Sequence, residues 1–315
     1  MSALERDRGP ALRGPAPRGW AQQDSALRDS ALRVVRTALA EDLALGPDIT
    51  TLATVGADAT AVGQVVPRAP GVLAGLDVAR LVLEQVLGEA HEVLYCASDG
   101  DRAVVGRSVL TVRAPTRGML TAERTMLNLL CHLSGVASTT DAWVQAVAGT
   151  RCRIRDTRKT LPGLRALQKY AVVAGGGVNH RMALGDATLV KDNHVLAAGG
   201  VVAALRLVRA AAPELPCEVE VDSLDQLHEV LAEIGPDGSL LVLLDNFTVA
   251  DTAAAVRWRD AHAPSARLES SGGLTLDVVA AYAATGIDYL AVGALTHSVT
   301  VLDLGLDLVS DLVST

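Results

Sequence analysis

An α/β protein in two parts is the fold class this sequence predicts, and three observations predict it. Half of the 315 residues are hydrophobic and 28 are Gly, which suits buried parallel strands covered by helices. From Arg151 onward, strand-like and helix-like stretches alternate. Before that point, short β-prone runs broken by Gly, Pro and Asp-Gly turns sit among helical segments without such alternation.

Taken in order, residues 1–24 are rich in Arg, Pro and Gly, lack an apolar period, and predict a disordered tail. "SALRDSALRVVRTALAEDL", from Ser25, brings Leu27, Leu32, Val35 and Leu39 towards one side of a helix. The runs "ATAVGQVVPRAPGVLAGL" and "AHEVLYCASDGDRAVVGRSVLTVRAPTRGML" flank a second helix, "LDVARLVLEQVLG". "LTAERTMLNLLCHLSGVASTTDAWVQAV" reads as one long helix or two in succession, with Met126, Leu127, Leu130 and Leu133 as its core stripe. Arg124 and Asn128 lie four apart and share a helical face. Strands are then expected at "CRIRDT", "ATLVKDN", "CEVEVDS", "SLLVLLDN", "ARLESSG" and "DYLAVGA", with helices in the gaps. Pro162 suits the first turn of the helix in "PGLRALQKYAVVAG", where its missing N–H has no partner to lose. Six strands in series favour a closed or nearly closed β/α barrel, with a doubly wound open sheet as the alternative.

Composition narrows the function classes. The net charge is −8 and the aromatics are one Phe, four Tyr and three Trp, too few for a nucleic-acid stacking platform on an acidic chain. No apolar run approaches the ~20 residues of a membrane span, and a soluble cytoplasmic protein is expected. Cys96, Cys131, Cys152 and Cys217 are scattered, with no zinc-type spacing, and read as buried reduced thiols.

Against this acidic background "RIRDTRKT", Arg153 to Thr160, gathers four cations just after a strand, which points to a small, multiply anionic substrate. Polar or small residues end every strand of the series. They are Arg155, Asp156 and Arg158–Lys159, then Lys191, Asp192 and Asn193, then Glu220 and Asp222, Asp245 and Asn246, Glu269 to Ser271, and Gly293. In a β/α barrel these ends converge on the face where active sites are built. Singly, each could be a solvated charge or a cap, and Asp222–Ser223 and Asn246 to Thr248 have the look of helix caps. Glu220 interrupts "EVEV" where a buried strand should be apolar, so it calls for a partner or ligand. Ser271, Gly272 and Gly273, then Gly293 and Ala294 one unit later, place small residues where backbone N–H groups can cradle a phosphate. Gly175 to Gly177 either cap a helix or deliver His180 and Arg181. His180 is a structural or a pocket residue, His194 and His297 are open in the same way, and His132 is read as packing.

The motifs "TAERTMLNLLCHLSG", "RDTRKTLPGLRALQKYAVVAGGGVNHR", "LVKDNH", "EVEVDS", "LLDNF", "LESSGGL" and "DYLAVGALTHS", in this order, closely resemble those of the quinolinate phosphoribosyltransferase family. The resemblance runs from about Ser25 to the C-terminus. It implies an N-terminal α/β sandwich over 25–135, an incomplete, open α/β barrel over 136–299, and a return of 300–315 to the first domain. It also implies a homodimer, or a higher assembly of dimers, whose active site the partner's N-terminal domain closes. By motif, Arg158, Arg181 and Lys191 would hold the two carboxylates of quinolinate, with His180 beside them and Arg124 reaching in from the other subunit. Lys159 would meet phosphoribosyl diphosphate, and Thr157 would be a further substrate-binding residue. Glu220 and Asp245 would hold the ribose hydroxyls and the donor's Mg²⁺, and Ser271–Gly273 with Gly293, Ala294 and Leu295 the 5′-phosphate. Lys159, Glu220 and Asp245 are the implied catalytic residues. The rival readings are a phosphoribosyltransferase of the same architecture acting on another acid, such as nicotinate, and a non-catalytic barrel that binds a phosphorylated metabolite.

Overall fold

A computed structural model of the chain describes residues 25–309; the tail expected at 1–24 lies outside them. The described residues fall into two compact units. The first runs to Asp141 and takes in Leu161–Val178 and the chain from Thr296 on; the second comprises Ala142–Thr160 and Asn179–Leu295.

The first unit opens with α1 (Ser25–Asp42) and α2 (Ile49–Thr54), the latter capped by the Asp48 carboxylate, which accepts from the Thr51 N–H. Strands β1 (Thr60–Pro67), β3 (Glu92–Cys96) and β5 (Leu110–Pro115) form an antiparallel sheet. β2 (Gly71–Val72) and β4 (Arg102–Ala103) make a separate short pair, and α3 (Leu76–Leu87) lies between β2 and β3 in the chain. The stretch read as one helix or two is a single helix, α4 (Thr116–Ala146), and it buries Met126, Leu127, Leu130 and Leu133 as the stripe requires. The C-terminal chain returns as β12 (Leu304–Val309), pairing antiparallel with β1 so that the sheet order is β12-β1-β5-β3. Gly135 permits that return. A Cβ there would collide with the backbone of Thr300 and Val301, and just beyond it Leu302 N–H donates to Cys131 O at 3.0 Å.

The second unit contains a six-stranded parallel sheet. Its strands are β6 (Arg153–Arg155), β7 (Thr188–Val190), β8 (Cys217–Val221), β9 (Leu241–Asp245), β10 (Arg267–Ser271) and β11 (Tyr289–Ala291). The order is β6-β11-β10-β9-β8-β7. That is the cyclic order of a barrel cut between β6 and β7, with no reversal of direction along the sheet, so the doubly wound alternative falls. The gap has a cause in the chain. The segment after β6 contains α5 (Arg165–Ala174), but Leu161–Val178 groups with the first unit, so β6 and β7 lack a crossover of their own. Pro162 precedes this helix in a turn instead of opening it, because Gly163 takes a left-handed φ of 77°. The other connections carry α6 (Asp192–Ala198) and α7 (Val201–Ala211), α8 (Leu224–Ile234), α9 (Val249–His262) and α10 (Val279–Ala284), with a single turn, α11 (Ala294–His297), after β11.

Strand alternation sorts the side chains. Val219, Val221, Val242, Leu244, Leu268 and Leu290 are buried, as are Leu205, Leu227, Leu231, Val256 and Val279 from the helices. The alternate positions, Arg155, Glu218, Glu220 and Glu269, share the other face. Both cap readings hold: Ser223 and Thr248 accept from the N–H groups of Gln226 and Asp251. Of the four free cysteines, Cys152 is the fully buried one and Cys96, Cys131 and Cys217 are half-buried. Among the described residues no single helix is long and apolar enough to cross a membrane.

At the N-terminal ends of β10 and β11, Asp288 accepts from Arg259 Nη1 at 2.6 Å, Arg267 Nη1 at 3.1 Å and the Leu268 N–H at 2.9 Å. Arg259 is 2% exposed, so its charge depends on this partner and on Asp260. Asp288→Ala is expected to lower the unfolding free energy by ~3–5 kcal/mol, the cost of stranding a buried charge. Urea denaturation measures it, and an unchanged midpoint would refute the dependence.

Candidate active site

Four buried or largely buried groups form the floor of the site. Glu218 on β8 and Glu269 on β10 share the sheet face described above, one on each side of β9. Arg155 Nη1 donates to Glu269 Oε2 at 2.6 Å and lies 3.9 Å from Glu218 Oε2. His180 reaches the same pair, with Nε2 2.9 Å from Glu218 Oε2 and 3.8 Å from Glu269 Oε1. The Arg181 N–H donates to His180 Nδ1 at 2.7 Å, so Nδ1 is the acceptor and Nε2 carries the hydrogen given to Glu218. The His180 N–H in turn donates to the fully buried Asp156, at 2.8 Å.

Burial pushes both carboxyls up to about 7; for Glu269 the neighbouring Glu218 adds to the effect, while Arg155 opposes it for each. Glu218 Oε1 and Glu269 Oε1 have no hydrogen-bond partner as ionised oxygens. One proton shared by the pair answers both and leaves a single negative charge for Arg155 to balance. His180, Glu218 and Glu269 are also close enough together to ligate a metal. The guanidinium already lodged against Glu269 supplies the positive charge such an ion would bring, so the donor set fits a proton better.

Above this floor lie the cations. Arg158 follows β6, Arg181 follows the glycine loop, and Lys191 follows β7. Desolvation pulls the Arg181 guanidinium below its ordinary range and the Arg158 charge adds to the effect, with Glu218 and Asp186 opposing. Arg158 Nε and Arg181 Nε are buried without hydrogen-bond partners, although Arg181 Nη1 donates to Ala187 O at 3.0 Å. Lys191 Nζ is paired with Glu220 Oε2. Two adjacent guanidiniums with orphaned donors make a site for an anion with more than one acceptor group. Thr157 Oγ1 accepts from the Lys159 N–H at 3.0 Å, which shapes the turn that carries Lys159.

Asp245 and Ser271 end β9 and β10, level with each other across the pairing, and Glu220 is the last residue but one of β8, level with Leu243. Asp245 Oδ2 accepts from Asn246 Nδ2 at 2.8 Å, while Oδ1 has no hydrogen bond within the described residues. Gly272 and Gly273 have φ of 95° and 59°, so the turn after β10 carries no side chain of its own at these two positions. Gly293 and Ala294 follow β11; Leu295 is fully buried, which leaves its backbone as the part able to meet a ligand.

The second unit therefore carries Thr157, Arg158, Lys159, His180, Arg181, Lys191, Glu220, Asp245, Ser271–Gly273 and Gly293–Leu295. Arg124 belongs to the first unit, on α4, where it is exposed and 3.8 Å from Glu123. His132 hydrogen-bonds Gln168 at 2.9 Å, in line with packing, and His194 Nδ1 accepts from the Lys191 N–H at the start of α6. The sequence reading counted Arg155, Asn246 and Glu269 only among the polar strand ends, with Asn246 also in a cap, and passed over Glu218. For Glu218 a signal was present: "CEVEV" puts Glu218 and Glu220 on one strand face, and Glu218, further from the C-terminal end of that strand, is the more buried of the two.

Family models match both parts of the chain. Residues 48–134 match the quinolinate phosphoribosyl transferase N-terminal domain and residues 136–307 its C-terminal domain. Among curated proteins, the nicotinate-nucleotide pyrophosphorylase [carboxylating] of Mycobacterium leprae is 65% identical over 275 residues, covering 87% of this chain and 95% of that protein. The probable enzyme of the same name from Bacillus subtilis is 35% identical over 270 residues, covering 85% and 89%. Among solved structures, the nicotinate-nucleotide pyrophosphorylase from Francisella tularensis has a TM-score of 0.83 at 36% identity, covering 89% of this chain and 96% of that one.

The shared proton has a measurable consequence. Folding raises the Glu269 carboxyl from 4.5 to about 7, so the native state binds a proton the unfolded chain releases. The stability this contributes is full below about pH 4.5 and is lost as pH rises to about 7. Glu269→Gln, which keeps the neutral shape, should gain stability relative to the parent between about pH 5 and about pH 8. Thermal melts at the two pH values test this, and an unchanged difference would rule out the shared proton.

Proposed function

The chain belongs to the quinolinate phosphoribosyltransferase family, carboxylating nicotinate-nucleotide pyrophosphorylases of de novo NAD biosynthesis, and from that premise we propose which residues carry each part of the reaction. The observation that carries the assignment is the paired, partly orphaned guanidiniums of Arg158 and Arg181. Quinolinate brings two carboxylates, and bidentate arginine contacts bind and orient such a dianion better than point charges do. Lys191 completes the cation set. His180, whose ring nitrogens are committed to Glu218 and the Arg181 N–H, holds the loop that presents Arg181.

The ring nitrogen of quinolinate attacks the anomeric carbon of phosphoribosyl diphosphate, and the bond to diphosphate breaks as the new C–N bond forms. Positive charge develops on the sugar, where Glu220 and Asp245 stand; negative charge grows on the leaving group, which Lys159 stabilises. Glu220 and Asp245 offer hard oxygen donors, which fit Mg²⁺ held through carboxylates and substrate phosphates. When bound, Mg²⁺ neutralises charge on the departing diphosphate. Ser271–Gly273 and Gly293–Leu295 take the 5′-phosphate on backbone N–H groups. The product nitrogen is quaternary. The adjacent C–C bond then breaks with its electron pair held on the ring carbon by that positive charge, and CO₂ leaves. We place the enzyme in the cytoplasm, on the strength of four free thiols, and as a homodimer in which Arg124 serves the partner's site.

Purified protein with quinolinate, phosphoribosyl diphosphate and Mg²⁺ should form nicotinate mononucleotide and CO₂, while nicotinate in parallel should give none. Product from nicotinate alone would overturn the dianion assignment. For the shared site, mixing inactive Arg124→Ala subunits with inactive Lys191→Ala subunits should restore about a quarter of the activity, the share of intact sites random pairing leaves. No recovery in verified mixed dimers would rule out sharing.

A further inference from the structure

Among the described residues, Asn246 is the one non-glycine with positive φ, at 56°. It follows Asp245 at the end of β9, and three links leave it. Its N–H donates to Ser271 O at 2.9 Å, carrying the β9–β10 pairing one step past the last strand residue. Its side-chain Nδ2 donates to Asp245 Oδ2 at 2.8 Å. Its Oδ1 occupies the space a Cβ on Gly272 would need, so the amide packs directly against the backbone of the turn after β10. Gly273, the next residue, meets nothing at the corresponding position. Gly272 is thus required to be bare for the sake of Asn246 as well as for its own φ of 95°. Strained backbone of this kind persists where the surroundings over-determine it, and it clusters at functional sites.

We propose that Asn246 is a positioning residue for the phosphoribosyl donor, bracing the Asp245 carboxylate and the Ser271–Gly273 turn as one unit through a single side chain. The proposal rests on the function assigned above. The left-handed backbone turns the amide back across its own strand end, where it can donate to one neighbour while filling the notch above the other. With Oδ2 held by Nδ2, the Asp245 carboxylate cannot rotate freely, and Oδ1 is left for the ribose hydroxyls or the donor's metal. The turn after β10 and that carboxylate are thereby tied to one side chain, through the Asn246 N–H to Ser271 O, its Nδ2 to Asp245 and its Oδ1 against Gly272. Quinolinate meets residues on other strands, so its binding does not pass through Asn246.

Two variants separate this from a purely backbone role, because both tolerate positive φ. Asn246→Gly deletes the amide; Asn246→Asp keeps its shape but replaces the donor with a carboxylate facing Asp245. Calorimetry with phosphoribosyl diphosphate and Mg²⁺ should show donor affinity down about tenfold in the glycine variant, the loss of one hydrogen bond to a charged group, and down further in the aspartate variant. In the turnover assay, the donor KM should rise in the same order while the quinolinate KM stays within about twofold and melting temperatures stay near the parent's. Donor affinity equal to the parent's in both variants would overturn the proposal, as would an equal rise in both KM values. A parent that binds the donor but gives no product from quinolinate would sink the acceptor assignment alone, since the variant-to-parent affinity ratio still tests Asn246. A parent that does not bind the donor would sink both.

Discussion

Two carboxylates buried against one arginine set the terms for the rest of this site. Glu218 and Glu269 are almost wholly out of water, and a pair of ionised carboxylates so placed could not be balanced by Arg155 alone. Sharing a proton resolves the imbalance, and His180 is drawn in as the donor that satisfies Glu218. Everything above follows from that floor. The imidazole is fixed in one tautomer, its Nδ1 holds the Arg181 backbone, and Arg181 is thereby set beside Arg158. Guanidiniums this close repel one another, so the arrangement costs energy until an anion arrives, and the buried negative charge beneath offsets part of that cost.

The half of the site proposed for the donor is built on a different principle. Asp245 and Ser271 end β9 and β10 at one level, with Glu220 of β8 two residues below them, because parallel strands in register deliver their C-terminal ends to one face. There the side chains are short and the turn after β10 is glycine, so the backbone itself can approach a phosphate. On the proposed assignment, the acceptor half uses long cationic side chains rising from loops and the donor half uses strand ends and turns. Attack by a ring nitrogen on a sugar carbon needs the two held at a fixed separation, and a rigid sheet beneath both supplies it.

Much of this was legible in the sequence, and the reasons are local. The six strands announced themselves because an apolar run ending in a polar residue recurs at each, from "CRIRDT" to "DYLAVGA". The long helix α4 was legible from its buried stripe, and the caps at Ser223 and Thr248 from side chains that act within one turn. Glu220 was noticed as a carboxylate in an apolar strand. Its neighbour Glu218 was passed over, although the same alternation puts it on the same face, because burial depth along a strand depends on what the neighbouring strands carry. The helix boundary at Pro162 was missed for a smaller reason, a left-handed glycine one residue later.

The sequence by itself determined the strand count, the polar strand ends, the cation cluster and the family, since each is written in residues a few positions apart. Only the tertiary structure decided that the sheet is open between β6 and β7, that Leu161–Val178 packs with the first unit, and that Arg155, His180, Glu218 and Glu269 meet. The last of these joins residues from three strands and a loop, with Arg155 and Glu269 separated by 114 in the sequence. No local pattern encodes such a meeting; it arises because burying one charge obliges the fold to bring others to it.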